Sequence, residues 1–205
     1  MSLHRFAGAR LPPMPWKNGG GVTREIVASP SGAGLDTFAW RVSIADVSAD
    51  GPFSVFEGVD RVLVLLEGNG VALRGADGQM LRRLDEPFVP FAFHGDDRIV
   101  SSLLAGPSVD FNVMTRRGVA VADVRIVRAS EALESFESGV LFAMRGRWLV
   151  NSRESDSGGH APDGAFRFDA GDGCWWDDEP RAWHVVPDSS GAILLFAGIR
   201  LVITE

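Results

Sequence analysis

The chain is poor in cysteine, with one thiol, Cys174, among 205 residues. A single thiol excludes an internal disulfide, and a cysteine-built zinc site needs several. Long apolar runs are missing as well. The longest, such as Val62–Leu66 and Ala192–Ala197, fall far short of the roughly 20 residues that span a bilayer. The opening Met1-Ser2-Leu3-His4-Arg5-Phe6 has no apolar stretch of the signal-peptide kind, so a cytoplasmic protein with no membrane partner is expected. There is no surplus of positive charge either. A net charge of −7 argues against a general nucleic-acid binder, which needs a cationic surface to meet phosphates. It leaves room for cations gathered in one pocket.

No G-x-S-x-G elbow occurs, so hydrolysis of that type has no support. Cys174 stands beside Trp175 and Trp176 with no basic neighbour in sequence, which reads as core rather than nucleophile. The acidic groups Asp96-Asp97 and Asp177-Asp178-Glu179 fall at turn-like places and read as solvated surface.

What is present is the patterning of strands. Trp40, Val42 and Ile44 alternate with Arg41 and Ser43, the period of two expected of a strand with unlike faces. Further short runs rich in Val, Ile, Leu, Phe and Trp follow along the chain, bounded by Gly, Pro or Asp. Gly68-Asn69-Gly70 and Ala76-Asp77-Gly78 read as hairpin turns, because Asn-Gly and Asp-Gly accept positive φ cheaply. One short helix is expected over 130–137, with Ser130 as N-cap and glutamates on an exposed face. The polar stretch 152–164 reads as a surface loop.

The layout is also repeated. Strand, glycine turn, strand and a Gly/Asp/Pro-marked strand entry run through Arg61–Leu66 to Phe91, and again through Val140–Met144 to Gly173. That rhythm, with almost no helix, suggests jelly-roll β-barrels of cupin type.

The strongest local signal is Met14-Pro15-Trp16-Lys17-Asn18-Gly19-Gly20-Gly21-Val22-Thr23-Arg24-Glu25-Ile26. Three glycines before a strand permit backbone shapes that side chains forbid, and such a turn can aim N–H groups at an anion while Lys17 and Arg24 supply charge. A plain turn with solvated Lys17 and Arg24 is the competing reading. The segment is not a P-loop, since its order differs and a strand follows.

Pro15 to Glu25 resembles the opening signature of the HutD/Ves family. The likeness continues through Trp40 to Val47, Gly51 to Arg61, Gly106-Pro107 and Asp110 to Met114, and so covers most of residues 14–118. Beyond Gly118 it is one of layout. The resemblance implies an all-β fold of two cupin-like (jelly-roll) barrels in one compact bicupin unit: an N-terminal barrel over 1–120 carrying the motifs and the pocket, and a C-terminal barrel over 121–205. It also implies an association with histidine utilisation, through binding of a degradation intermediate such as N-formylglutamate.

The residues support a pocket on their own terms. Arg41 and Ser43 share a strand face, Arg61 begins an apolar strand, and Asp110, Asn112 and Met114 share a face of theirs. Charges gathered inside a barrel are costly unless paired. Arg61 with Asp110 is the internal solution. A ligand carboxylate bridged by arginines is the other, because guanidinium matches carboxylate in two-point geometry.

The expected function is therefore non-catalytic binding of a small anionic metabolite, with no catalytic residues, cofactor or metal. Lys17, Arg41 and Arg61 are expected to meet the anion, and Asn18, Asp110 and Asn112 to orient its polar remainder. Trp16 walls the pocket, and Arg24 is a weaker contact that strand alternation turns outward. A metal-dependent cupin enzyme of the iron oxygenase type is one alternative, yet no H-x-H occurs and His4, His94, His160 and His184 are scattered, with His94-Gly95-Asp96 the nearest approach. A structural or protein-interaction module is the other. Trp148, Trp175, Trp176 and Trp183 are expected in the core, and an exposed cluster of them would mark a homodimer face.

Overall fold

A computed structural model describes residues 3–153 and 165–202. His160 and the rest of the stretch 154–164 lie outside them. The described residues form strands, one 3-10 turn at Gly8–Arg10 and no α-helix. No helix is long and apolar enough to cross a membrane.

The chain divides into two units, residues 11–121 and residues 1–10 with 122–202. In the first, eight consecutive strands run Trp40–Val47, Gly51–Pro52, Val59–Gly68, Val71–Gly75, Met80–Leu84, Pro90–His94, Ile99–Leu103 and Ser108–Arg116. One sheet takes them in the order first, eighth, third, sixth, and the other in the order second, seventh, fourth, fifth. That is a jelly roll. In the second unit, Ala120–Val127, Glu131–Phe136, Ser138–Arg145, Trp148–Arg153, Phe166–Phe168, Asp172–Trp176, Arg181–Pro187 and Ile193–Leu201 repeat the same two orders. Within each unit the two sheets form an open sandwich and do not close into a barrel. Additional strands extend the larger sheets. Pro13–Pro15 and Gly21–Ser29 lie outside the 40–47 strand. His4–Ala7 pairs with the 172–176 strand, which joins the first ten residues to the second unit.

Two local expectations fail for physical reasons. Residues 131–136 form a strand and not a helix. Leu133 and Phe136 are both buried, a three-residue spacing that imitates a helical face, and a register irregularity between them turns both inward. Gly68-Asn69-Gly70 is not a hairpin, because the strands that it joins belong to different sheets. Its glycines at φ 89° and 84° carry the chain across, and a Cβ on Gly70 would lie 1.7 Å from the Leu84 carbonyl oxygen. Ala76-Asp77-Gly78 does turn a hairpin between paired strands.

The two interiors differ in kind. The second unit is filled by Trp148, Trp176, Trp183, Phe136, Phe168 and Phe196, all buried. Cys174 lies among them, and burial pushes its thiol up to about 12. Trp175 lies outside this cluster and stacks on the His4 ring at 3.9 Å. In the first unit an apolar cluster of Leu63, Val71, Leu73, Leu84 and Ile99 joins the two sheets over only part of the interior. Elsewhere the larger sheet's inner face carries Arg41, Ser43, Arg61, Asp110 and Asn112 beside a second apolar cluster of Phe38, Val59 and Met114.

Candidate functional site

Strand register builds the site. Across the larger sheet of the 11–121 unit, Arg41 stands opposite Met114, and Met114 opposite Arg61, which faces Phe93. The next row on the same face is Glu25, Ser43, Asn112, Leu63 and Phe91. The third is Thr23, Ala45, Asp110 and Leu65. Because side chains alternate, the opposite face takes Trp40, Val42, Phe111 and Val113, all buried. Arg41, Ser43, Arg61, Asp110 and Asn112 are thereby gathered on one side of these strands.

The two arginines are held differently. Arg41 Nε donates to Glu25 Oε2 at 2.6 Å, with Nη1 3.5 Å from Ser43 Oγ. Arg61 reaches Asn112 Oδ1 only through long contacts of 3.4 Å from Nε and Nη2. Its guanidinium lies 5.0–5.5 Å from the ring centres of Phe53, Phe56 and Phe93, a cage of aromatic faces that favours a cation. Among the described residues no carboxylate lies within ion-pair distance of Arg61. Burial, then the like charge of Arg41, draws the Arg61 guanidinium down to about 10 against the attraction of Asp110. It remains a cation at neutral pH.

Asp110 is 1% exposed, and neither carboxylate oxygen has a hydrogen-bond donor among the described residues. Burial pushes it up to about 7, with the attraction of Arg61 opposing. At the other edge, Trp16 Nε1 donates to Thr23 Oγ1 at 2.7 Å. The indole lies over Gly21, where a Cβ would meet the ring at 3.0 Å and the Asp46 carbonyl at 2.4 Å.

The structure thus brings Trp16, Arg41, Arg61, Asp110 and Asn112 to one face. Lys17 and Asn18 lie exposed in the connecting turn. Asn18 Oδ1 accepts from the Gly20 N–H and the Trp16 carbonyl accepts from the Gly19 N–H, so those two amides serve the turn and not an anion. Arg24 points to the opposite face, where it is paired with Asp46. Sequence reasoning missed Glu25 and the three phenylalanines. Glu25 sits directly opposite Ser43, but only the strand pairing shows it.

The His94-Gly95-Asp96 stretch belongs to a surface ionic network. His94 Nδ1 is 2.8 Å from Asp60 Oδ1, and Arg117 reaches both Asp60 and Asp96. The Gly58 N–H, then Arg117, holds the Asp96 carboxyl down at about 2. His184 Nε2 lies 3.4 Å from Ser130 Oγ. Among the described residues no three His, Cys, Asp or Glu side chains converge as metal ligands would.

The sequence model of the HutD family matches residues 8–195. A conserved protein of unknown function from Pseudomonas aeruginosa PAO1 superposes with a TM-score of 0.82 at 30% identity, over 97% of this chain and 99% of that one. The chain belongs to the HutD family. HutD from Pseudomonas fluorescens SBW25, in a structure described as a formate condition, superposes at 0.79 with 27% identity, covering 98% and 99% of the two chains. Oxalate decarboxylase from Lactobacillus farciminis shares the fold alone, at 0.63 and 9% identity over 98% of this chain and 87% of that one. The family and these neighbours agree with the cupin-like architecture built above.

Proposed function

We propose that the inner face of the 11–121 unit binds a small carboxylate metabolite without transforming it, and that this binding serves the regulation of histidine utilisation in the cytoplasm. The observation that carries the reading is Arg61, a buried guanidinium with no carboxylate at ion-pair distance among the described residues, facing a second buried arginine, Arg41, across the strand that carries Met114. Two guanidiniums in one cross-strand row fit the two oxygens of a carboxylate. Membership of the HutD family supports the histidine pathway. Asn112 and Asp110 orient the ligand's polar remainder, while Lys17 and Asn18, exposed in the turn, are left out of the contact set.

A thermal-shift screen of metal-stripped protein tests this, using N-formyl-L-glutamate, urocanate, L-glutamate, formate and unrelated acids. A ligand that binds only the folded state raises the unfolding temperature with concentration. A selective rise with one acid, lost in Arg61→Ala, supports the reading. No rise with any acid, but a clear one on adding Fe(II), puts a metal enzyme in its place.

A further inference from the structure

The His94-Gly95-Asp96 turn supports one side of the aromatic cage around Arg61. Between the 51–52 strand of the smaller sheet and the 59–68 strand of the larger, residues 53–58 form a strap without regular structure, and it carries Phe53 and Phe56 of that cage. These two rings pack against apolar clusters of the interior, while Ser54, Val55 and Glu57 are exposed. The Phe53 N–H donates to the Ile99 carbonyl and the Phe56 N–H to the Gly95 carbonyl, each at 2.8 Å. At the far end the Gly58 N–H donates to Asp96 Oδ1 at 2.9 Å, and the Gly58 carbonyl accepts from the Arg117 N–H at 2.8 Å. Arg117 Nη2 in turn reaches Asp96 Oδ2 at 2.7 Å and completes a clasp. Gly95 is the seat of the strap, since a Cβ there would lie 2.6 Å from the Phe56 carbonyl oxygen. The remaining ring, Phe93, stands on the larger sheet itself.

We propose that the strap 53–58 is a gate over Arg61, and that the clasp of Asp96 and Arg117 on Gly58 sets how often it opens. The proposal rests on Arg61 as a ligand contact, and it concerns how that residue is reached rather than what it binds. With both strap rings in place Arg61 is 8% exposed, so a partner for its guanidinium needs a way in. The strap is the part of the cage suited to move. It has a few backbone bonds and an exposed outer edge, the marks of a segment that opens at far lower cost than a core strand. Gly58, at φ 68° and with open space where a Cβ would stand, supplies a hinge that can absorb a backbone rotation. Asp96 and Arg117 are both exposed, which keeps the clasp weak enough to release. Phe93, fixed on its strand, stays behind as the wall.

The test pairs amide hydrogen exchange with labelling of the intact protein by phenylglyoxal, which condenses with accessible guanidinium groups, the adducts being mapped by mass spectrometry. The Phe56 and Gly58 amides are expected to exchange at least roughly a hundredfold faster than those of the 59–68 strand. Asp96→Ala removes one acceptor and is expected to speed both strap exchange and Arg61 labelling about tenfold. Exchange in the 59–68 strand, and labelling of the buried Arg181 in the other unit, are expected to stay unchanged. Gly95→Ala, which pushes on the Phe56 carbonyl, is expected to act as Asp96→Ala does. Strap amides as protected as the 59–68 strand overturn the gate. So does Arg61 labelling that stays constant while strap exchange quickens, and so does a quickening shared by the 59–68 strand, which would make Asp96 a residue that holds the fold. Should Asp96→Ala fail to fold, the exchange ratio in the unaltered protein and Gly95→Ala decide. A thermal shift with an acid, in a protein that fails the labelling test, keeps the carboxylate reading and removes the gate. No shift with any acid sinks that reading alone, because labelling reads the strap without a ligand.

Discussion

Arg41 and Arg61 stand in one cross-strand row, each directly opposite Met114 on the strand between them. Two strand spacings, about 10 Å, separate their backbones, and their side chains share a face. Like charges so placed repel, and burial, then the like charge of Arg41, draws the Arg61 guanidinium down to about 10. Of the two, only Arg41 has a carboxylate at ion-pair distance among the described residues.

Arg61→Met follows from that asymmetry. No ion pair is broken, and an apolar side chain of similar length fits among Phe53, Phe56 and Phe93. The lost cation–π contacts and the relieved burial of charge nearly offset each other, so stability is expected to stay within about 1 kcal/mol of wild type. Carboxylate affinity is expected to fall about ten- to hundredfold, the worth of a charged hydrogen bond. Denaturant melts and calorimetry check both numbers. A collapse of stability would make Arg61 a structural residue.

Asp110 fixes a pH dependence. Its folded value, about 7, lies above the unfolded value of about 3.9, so the folded protein holds the extra proton between them. The stability it contributes is fully present below about pH 4 and is lost as pH rises through 7. The unfolding free energy of wild type minus that of Asp110→Asn is expected to fall, becoming more negative as pH rises over that window, by a few kcal/mol at most. Urea titrations of both proteins at pH 4.5, 6 and 8 measure it. A difference that grows with pH contradicts the assignment.

Gly21→Ala and Gly20→Ala separate close packing from loop freedom. A Cβ at Gly21 meets the Asp46 carbonyl at 2.4 Å and the Trp16 ring at 3.0 Å, whereas at Gly20 the nearest atom is the Asn18 side chain at 3.4 Å. Gly21→Ala is expected to cost about 1–3 kcal/mol, the usual range for overpacking, and to alter Trp16 fluorescence. Gly20→Ala is expected to be mild. Equal effects would show that Trp16 does not rest on Gly21.

Cys174 offers a check on the second unit. Its thiol is buried and held near 12, so thiolate is scarce at neutral pH. A thiol reagent at pH 8 is expected to leave the folded protein unlabelled for hours and to label one equivalent after denaturation. Rapid labelling of the folded protein would open the aromatic core to doubt.

Much of this architecture was readable from the chain. Alternation around Trp40 and around Phe111 gave both the strands and the division of their faces, so Arg41, Asp110 and Asn112 fell together. Arg24 sits on the wrong side by the same rule. What escaped depended on pairing between distant segments. The Glu25–Arg41 contact and the cage around Arg61 are matters of register and sheet stacking, which no local pattern encodes. The 131–136 strand escaped because an irregular register lets a strand bury residues at helical spacing.

The ring of phenylalanines around Arg61 has one more effect. An arginine on an open surface must shed water each time it takes up an anion, but this one has lost most of its hydration shell by the time the chain is folded. The dehydration still required then falls mainly on the arriving molecule. Singly charged carboxylates surrender their water more readily than phosphate or sulfate, so under the carboxylate reading proposed above the cage favours the former over those more strongly hydrated anions.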